Sequence, residues 1–470
     1  MASLPPRAKF PRPKSPRSQK PEPDEDEPRV ERPVREDLVA QAALEAYGSI
    51  RHENRLADRA LDFTLRHKRH LYSNERRTVA ERVYALLRRQ RTVDALLELS
   101  RPGFASLSTS LQDSLRLAAS RVLHGESADT VATSMALPAE DAATLQRLGP
   151  SATKLDSLPP EERYAISASL PDFLARRFRA EFGADAEAEA EALNERAPLT
   201  GRVNTLKTTR EALMERLRTE GVVCRETPLS PLGVFLETRI NAYSLPAFRD
   251  GLFEIQDEGS QLLGMLVDPP PTRVADCCAG AGGKTLQLAP QMKNRGDLYA
   301  LDIDARRLEE LKRRARRASV HNVRIRVVPP EGELAREALA DLAGKMDRVL
   351  VDAPCSGTGT YRRKPDARYR LTEASLAEFA ARQKELLSRF AELVKPGGRI
   401  IYGTCSLLKD ENEDVVDHFL KSRPDFSRVP VADKLGDALA AKVSRDGYLR
   451  LTPSRHGTDG FFGAILLRAK

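Results

Sequence analysis

A chain of 470 residues is too long for one ordinary hydrophobic core, and two or three domains are expected. Five cysteines, an odd number without CxxC spacing, exclude a disulfide framework and offer no zinc pattern, so a reducing cytoplasmic setting and no metal are expected. No apolar run approaches about eighteen residues, which argues against a membrane-spanning helix, and a net charge of +8 suits a polyanion such as RNA without requiring one.

Residues 1–36 alternate proline with charge and hold almost no large apolar side chains, so a disordered tail is expected. Its charges are first basic (Arg7, Lys9, Arg12, Lys14, Arg17, Lys20), then acidic from Glu22 to Glu27. Residues 37–165 read as an all-helical domain. Val79, Val83, Leu86 and Leu87 form an apolar stripe, which Val93, Leu96 and Leu97 continue until Arg101-Pro102-Gly103 stops it. The opposite face carries Arg76, Arg77, Arg82, Arg88, Arg89 and Arg91, which is either a solvated helix face or a surface for RNA.

Residues 170–268 read as a small α+β module. Helices are expected over 170–182, 184–197 and 209–221, a strand over 200–207, and strand-like pieces around Val222 and Val234. Arg202, Asn204 and Lys207 place polar groups around that strand, as an RNA-contacting edge would. From 269 to 470 strand and helix alternate: strands over 273–276, 298–302 and 323–328, helices over 284–292 and 306–318, a strand ending at Asp352, and an apolar strand over 461–467. That rhythm predicts a doubly wound parallel sheet.

Two stretches in this last region carry chemistry. Val349 to Thr360 is an apolar run ending in Asp352, with Pro354 breaking the strand and Cys355 in a Gly-rich turn. Arg399 to Ser406 is a second apolar run, ending in Cys405. Between them Leu376, Phe379, Ala380, Gln383, Leu387, Phe390, Ala391 and Val394 recur at helical spacing before Pro396-Gly397-Gly398. A β-α-β crossover makes the two strands parallel, so both thiols emerge at one sheet edge on strands roughly 5 Å apart. Tyr361, Tyr369 and the Arg362-Arg363-Lys364 run in the loop after Cys355 are candidates for stacking on bases and holding phosphate.

The loop Asp276-Cys-Cys-Ala-Gly-Ala-Gly-Gly-Lys-Thr285 supports three readings. A P-loop needs glycine where Cys278 stands, and a dinucleotide fingerprint needs glycine where Thr285 stands. The third takes Gly280 and Gly282 as a turn that lets backbone approach adenosylmethionine, with Asp302 at the end of the next strand for the ribose diol. The thiols favour this reading. Carbon 5 of cytosine is too electron-poor to attack a sulfonium methyl until a thiolate adds to carbon 6, and an acid beside the ring nitrogen assists that addition.

Asp352-Ala-Pro-Cys-Ser356, Tyr402-Gly-Thr-Cys-Ser406, the Gly-Gly-Lys-Thr turn at 282–285, Phe253-Glu-Ile-Gln-Asp-Glu258 and Gly457-Thr-Asp-Gly-Phe-Phe462 closely resemble the RsmB/NOP family of RNA 5-methylcytosine methyltransferases. The likeness runs from about Pro171 to the C-terminus, and the pattern over Asp58 to Leu97 looks like the NusB-like helical domain of the bacterial small-subunit rRNA members. The resemblance implies an all-α NusB-like N-terminal domain, a small α+β RNA-binding module and an α/β Rossmann-like class I methyltransferase domain over 269–470. It implies Cys405 as nucleophile, Cys355 in product release, Asp352 holding or protonating the base with Lys284 nearby, and S-adenosylmethionine held by Cys278, Ala279, Gly280, Ala281, Gly282, Gly283, Lys284, Asp302, Glu331 and Asp352. The family turn usually reads Cys-Ala-Ala-Pro-Gly-Gly-Lys, and here Gly280-Ala281 replaces Ala-Pro; Pro330-Glu331 stands where Gly-Asp is usual. The expected activity is methylation of carbon 5 of a cytosine in small-subunit rRNA by a cytoplasmic monomer. The competing reading is an RNA-binding ribosome-assembly factor, and a P-loop NTPase is third.

Overall fold

The computed structural model describes residues 33–238 and 240–470. The expected disordered tail lies outside the described residues up to position 32, and its last position, Glu36, already opens the first helix, Glu36–His52. Arg35 fastens that start through Nη2 to the buried Glu75 carboxylate at 2.6 Å.

Helices fill the chain to about residue 157, and their inward stripes (Val39, Tyr47, Val83, Leu86, Leu97, Leu115) make one apolar core. The stripe read as continuous through 79–97 is two helices, Ser73–Arg88 and Gln90–Ser100, because Arg89 leaves the helical region at φ −122°. The break lets consecutive arginines reach a neighbour. Arg88 donates to the Arg362 carbonyl at 3.2 Å, Arg89 pairs with Glu191, and Arg91 meets Asp172 at 2.5 Å. That part of the basic face is therefore a docking surface within the molecule, neither bare nor turned to RNA.

Helix Pro160–Ser167 joins the next body instead of the first. Tyr164 and Ala165 pack with Leu174, Phe178 and Leu193 of helices Asp172–Phe182 and Ala186–Asn194, and with Tyr361, Leu376, Leu407 and Leu408 from the C-terminal region. The seam between cores thus falls just before Pro160, ahead of the expected 165. A small antiparallel sheet follows, with β1 (Leu199–Val203), β2 (Cys224–Glu226), β3 (Gly233–Leu236) and β4 (Phe253–Ile255) in the order β2-β3-β1-β4. Val203, Leu213, Leu217, Val234 and Phe253 form its core with helix Arg210–Thr219. Arg202, Asn204 and Lys207 do not make an RNA edge. Arg202 donates to the Gly283 carbonyl at 2.9 Å, Asn204 to the Gly251 and Ala318 carbonyls, and Lys207 to the Asp250 and Arg317 carbonyls, so all three bind protein backbone.

The large sheet holds β5 (Arg273–Asp276), β6 (Asp297–Asp302), β7 (Val323–Val327), β8 (Met346–Asp352), β9 (Val394–Thr404), β10 (Phe426–Val429), β11 (Ser444–Arg445), β12 (Tyr448–Leu451) and β13 (Phe461–Arg468). The order is β11-β12-β13-β9-β8-β5-β6-β7, with β10 also on β13. β5 to β9 pair in parallel, but β13 runs antiparallel to β9, β10 and β12, so the sheet is mixed, not wholly parallel. The 452–460 connection is shorter than the dozen or so residues a parallel crossover needs, which makes β13 antiparallel to β12. Helices cover both faces, and Val349, Leu350 and Val351 of β8 are wholly buried, as a two-sided cover requires.

The loop after Cys355 locks these bodies together. Tyr361 and Arg368 are wholly buried. Arg368 donates to Asn194 Oδ1 at 2.6 Å, the Arg88 carbonyl at 3.1 Å and the Leu193 carbonyl at 3.3 Å. Tyr369 bonds Ser169, Arg370 donates to the Asn54 carbonyl, and Arg362 donates to the Gly457 and Thr458 carbonyls. The tyrosines and Arg362 are thus structural, and of the expected RNA contacts only Lys364 is exposed. Replacing Arg368 with Met leaves buried carbonyls unpaired at the junction of three bodies, and urea unfolding is expected to register a loss of about 3 kcal/mol. An unchanged unfolding midpoint would contradict this role.

Candidate two-cysteine active site

Every loop of interest leaves the carboxyl edge of the parallel strands: β5 at Asp276, β6 at Asp302, β8 at Asp352 and β9 at Thr404. Pairing aligns Asp352 with Gly403, and the Ala353 amide still bonds the Gly403 carbonyl at 2.9 Å. Cys355 and Cys405 follow at once, and their Sγ atoms stand 3.3 Å apart, both thiols free and partly exposed. The contact with Cys405, then burial, then the nearby Glu411 carboxylate hold the Cys355 thiol well above its ordinary pKa. The raised pKa favours a protonated Cys355, whose S–H can point at the Cys405 sulfur.

A buried acid beneath the sulfurs ties the two loops. Glu411, wholly buried, accepts from the Ser356 amide at 2.8 Å, Ser406 Oγ at 2.5 Å, Gln383 Nε2 at 2.9 Å and also from Ser356 Oγ. Asn412 beside it donates to the Ser406 carbonyl at 3.0 Å. Each cysteine is followed by a serine bound to the same carboxylate. On the other side the Gly359 amide bonds the Cys405 carbonyl at 3.0 Å, and the Gly460 amide bonds the Gly359 carbonyl at 2.8 Å. A Cβ on Gly359 would meet the Gly460 carbonyl oxygen at 2.4 Å, so this backbone contact excludes any side chain there. Sequence reasoning missed Glu411; the paired serines were the available signal.

Lys284 Nζ donates to Asp352 Oδ2 at 2.5 Å, and the Phe461 ring lies 5.4 Å from the same nitrogen. Thr285 Oγ1, fully buried, donates to Asp276 at 2.7 Å. A P-loop would turn this lysine to phosphate and this hydroxyl to magnesium, so both bonds oppose that reading. Beside the pair opens a cavity of about 370 Å³, lined by Cys278, Gly280, Asp302 and Asp352, by apolar Ile303, Val328, Pro329, Leu386 and Phe390, and by Arg307, Arg382 and Arg389. Gly280, at φ +54°, points its amide at Asp302 Oδ2 at 2.8 Å. Gly282, at φ +88°, has no room for a side chain, since a Cβ would meet Leu311 at 2.6 Å. Arg314 grips the Ala281 carbonyl at 2.8 Å as Arg202 grips that of Gly283. Burial, with the carboxylates of Asp276, Asp352 and Asp302 behind it, keeps the Cys278 thiol neutral.

Most of the expected site residues come together here. Cys278, Ala279, Gly280, Asp302 and Asp352 line the cavity; Ala281, Gly282 and Gly283 shape the turn behind it. Glu331 does not join them. It is exposed outside the lining, where Val328 and Pro329 stand instead, and the adjoining Pro330 carbonyl is held by Arg382 and Arg389. Cys224 and Cys277 are buried, as small core residues.

The chain matches a family model described as 16S rRNA methyltransferase RsmB/F over residues 265–467 and an RsmF/B-like ferredoxin-like domain over residues 170–243. It is 30% identical over 449 residues to a Synechocystis protein named "Probable ribosomal RNA small subunit methyltransferase B", covering 91% of this chain and 99% of that one. Among solved structures, PH0851 aligns with a TM-score of 0.74 at 28% identity, over 94% of this chain and 100% of its own. A methyltransferase homolog protein from Pyrococcus horikoshii aligns at 0.56 and 31% identity, over 66% of this chain and 100% of its own.

Glu411→Ala removes the acceptor of four buried donors, so a loss of at least about 3 kcal/mol in denaturant unfolding is expected. A variant as stable as the parent would show that the carboxylate does not hold the loops.

Proposed function

The chain belongs to the RsmB/F family of 16S rRNA methyltransferases, and from that premise we propose that it methylates carbon 5 of a cytosine in small-subunit rRNA through a covalent adduct on Cys405. The observation that carries this reading is the pair of sulfurs 3.3 Å apart beside the Lys284–Asp352 pair. An enzyme that methylated an already nucleophilic nitrogen or oxygen would have no use for two thiols there.

The cavity fits S-adenosylmethionine on its own chemistry: the carboxylates of Asp302 and Asp352 suit a hydroxylated, cationic group, and the apolar side chains of the lining suit a purine ring. Asp302 would hold the ribose, Cys278 to Gly283 would supply the close backbone, and Ile303, Val328, Pro329, Leu386 and Phe390 would enclose the base. When bound, this cofactor supplies an electrophilic methyl group.

The remaining steps belong to the chain. The Cys405 thiolate, assisted by the Cys355 S–H, adds to carbon 6 of a flipped-out cytosine, and the displaced electron pair makes carbon 5 nucleophilic. Asp352, held by Lys284, positions the ring at its nitrogen edge and manages the proton there. Bonding to carbon 6 takes the Cys405 sulfur away as the partner of Cys355, the contact that raises its pKa most, so Cys355 gives its proton to solvent and stands as a thiolate. Cys355 then takes the carbon 5 proton once that carbon carries its methyl, and the Cys405–carbon 6 bond breaks to release 5-methylcytosine. The NusB-like helical domain and the ferredoxin-like module would orient the rRNA. Expected domain bounds of 37–165, 170–268 and 269–470 enter this proposal with the first seam moved before Pro160.

Unmodified small-subunit rRNA, S-adenosylmethionine and protein test this directly. Bisulfite sequencing is expected to reveal new 5-methylcytosine with the parent and none with Cys405→Ser. Cys355→Ser is expected to accumulate a protein–RNA adduct that survives denaturing electrophoresis. Methylation by Cys405→Ser at the parental rate would refute the nucleophile assignment, and a Cys355→Ser protein that turns over normally would refute the release role.

A further inference from the structure

Most arginines that looked ready for RNA hold the protein together from within, but another group lines an accessible cleft. A cleft of about 930 Å³ lies where the helical domain, the 196–199 linker and the outer face of the small sheet meet. Arg77, Arg196, Arg225, Arg363, Phe235 and Asn241 line it, and Glu237 is the only carboxylate among its lining residues. The side chains of Arg196 and Arg225 are 57% and 60% exposed although each has a glutamate partner, Glu81 and Glu237. Such surface pairs contribute little and exchange readily for a phosphate.

The geometry at Arg225 is specific. Its guanidinium lies 4.4 Å over the Phe235 ring, and Glu237 holds its Nε at 2.6 Å. A guanidinium kept flat on an aromatic ring offers a planar cationic surface, which suits the face of an unpaired base. The cleft also reaches the chemistry through Arg363, which binds Asp257 at 2.9 Å and Asp459 at 2.5 Å. Asp459 stands two residues before Phe461, the ring beside Lys284.

We propose that this cleft binds a single-stranded segment of the rRNA flanking the target cytosine, its phosphates on Arg77 and Arg196 and one base stacked on the Arg225–Phe235 pair. The proposal rests on the reading of the chain as an RNA methyltransferase. Because three bodies form the walls, one strand laid in the cleft touches all of them and is aimed by Arg363 toward the sheet edge. Base stacking serves a flipped target, since the neighbours of an extruded nucleotide lose their own stacking partners.

The test uses the full-length protein, an unmodified small-subunit rRNA transcript and a single-stranded oligoribonucleotide. Arg225→Glu is expected to raise the dissociation constant and KM for RNA roughly tenfold or more. Arg196→Ala is expected to flatten the logarithmic salt dependence of RNA binding by about one unit. Affinity for S-adenosylmethionine and kcat at saturating RNA should stay within about twofold of the parent, which separates a docking loss from misfolding. If the parent methylates RNA and both variants match it in KM, affinity and salt slope, the cleft is not the docking site while the function stands. If the variants lose RNA affinity but even the parent methylates no RNA, the cleft is supported and the methyltransferase reading fails. A loss confined to duplex RNA would overturn the single-strand assignment.

Discussion

Two sulfurs held at 3.3 Å, one of them kept protonated, is the constraint around which this molecule is built. Parallel pairing of β8 with β9 puts the two loops side by side, but strands alone would leave the loop ends free to separate. The buried Glu411 prevents this by accepting from both loops at once. A carboxylate removed from water is costly unless its oxygens are well satisfied, and four donors meet that condition here. The same arrangement raises the Cys355 pKa, and the proposed reaction uses one sulfur as nucleophile and the other as base.

Arginine does the assembly. Arg368 gathers the helical domain, the 172–194 helices and the loop after Cys355; Arg202 and Arg314 hold the carbonyls of the glycine turn; Arg363 joins Asp257 to Asp459 behind the Lys284–Asp352 pair. A planar fork of donors serves several carbonyls in fixed directions, where lysine offers one compact charge on a flexible stem. The site is therefore rigidly backed on the sides away from solvent. The exposed arginines of the 930 Å³ cleft form a second population, whose partners sit at the surface and can be traded for phosphate.

What the sequence disclosed follows from how local each signal is. Apolar runs ended by Asp276, Asp302, Asp352 and Cys405 located the strand ends to within a residue or two, and the β-α-β spacing brought the thiols together, but β9 opens at Val394, which was read as helix, and runs through the Pro396-Gly397-Gly398 read as a stop. The antiparallel return of β13 was not legible, because a terminal apolar run carries no mark of its direction. Arg202 and Arg368 were misread or passed over for a related reason: an arginine's partners here lie tens to hundreds of positions away, and a charge pattern reports only the chemical nature of the face. Glu411 was hidden because it is one of four acids, with Asp410, Glu413 and Asp414, in a run that looks like any charged surface until both serines point at it. Glu331 was assigned by alignment with a turn that this chain has rebuilt with two prolines, and the rebuilt turn turns the acid outward.

The central claim is that the sulfur at 405 attacks carbon 6 while that at 355 takes the carbon 5 proton. Fluorine at carbon 5 leaves no proton to remove, so rRNA transcribed with 5-fluorocytidine should arrest the parent protein as a covalent complex dependent on S-adenosylmethionine. Digestion and mass spectrometry of that complex are predicted to find the nucleotide on the peptide carrying Cys405. Attachment through Cys355, or no stable complex from a protein that methylates ordinary rRNA, would contradict the account.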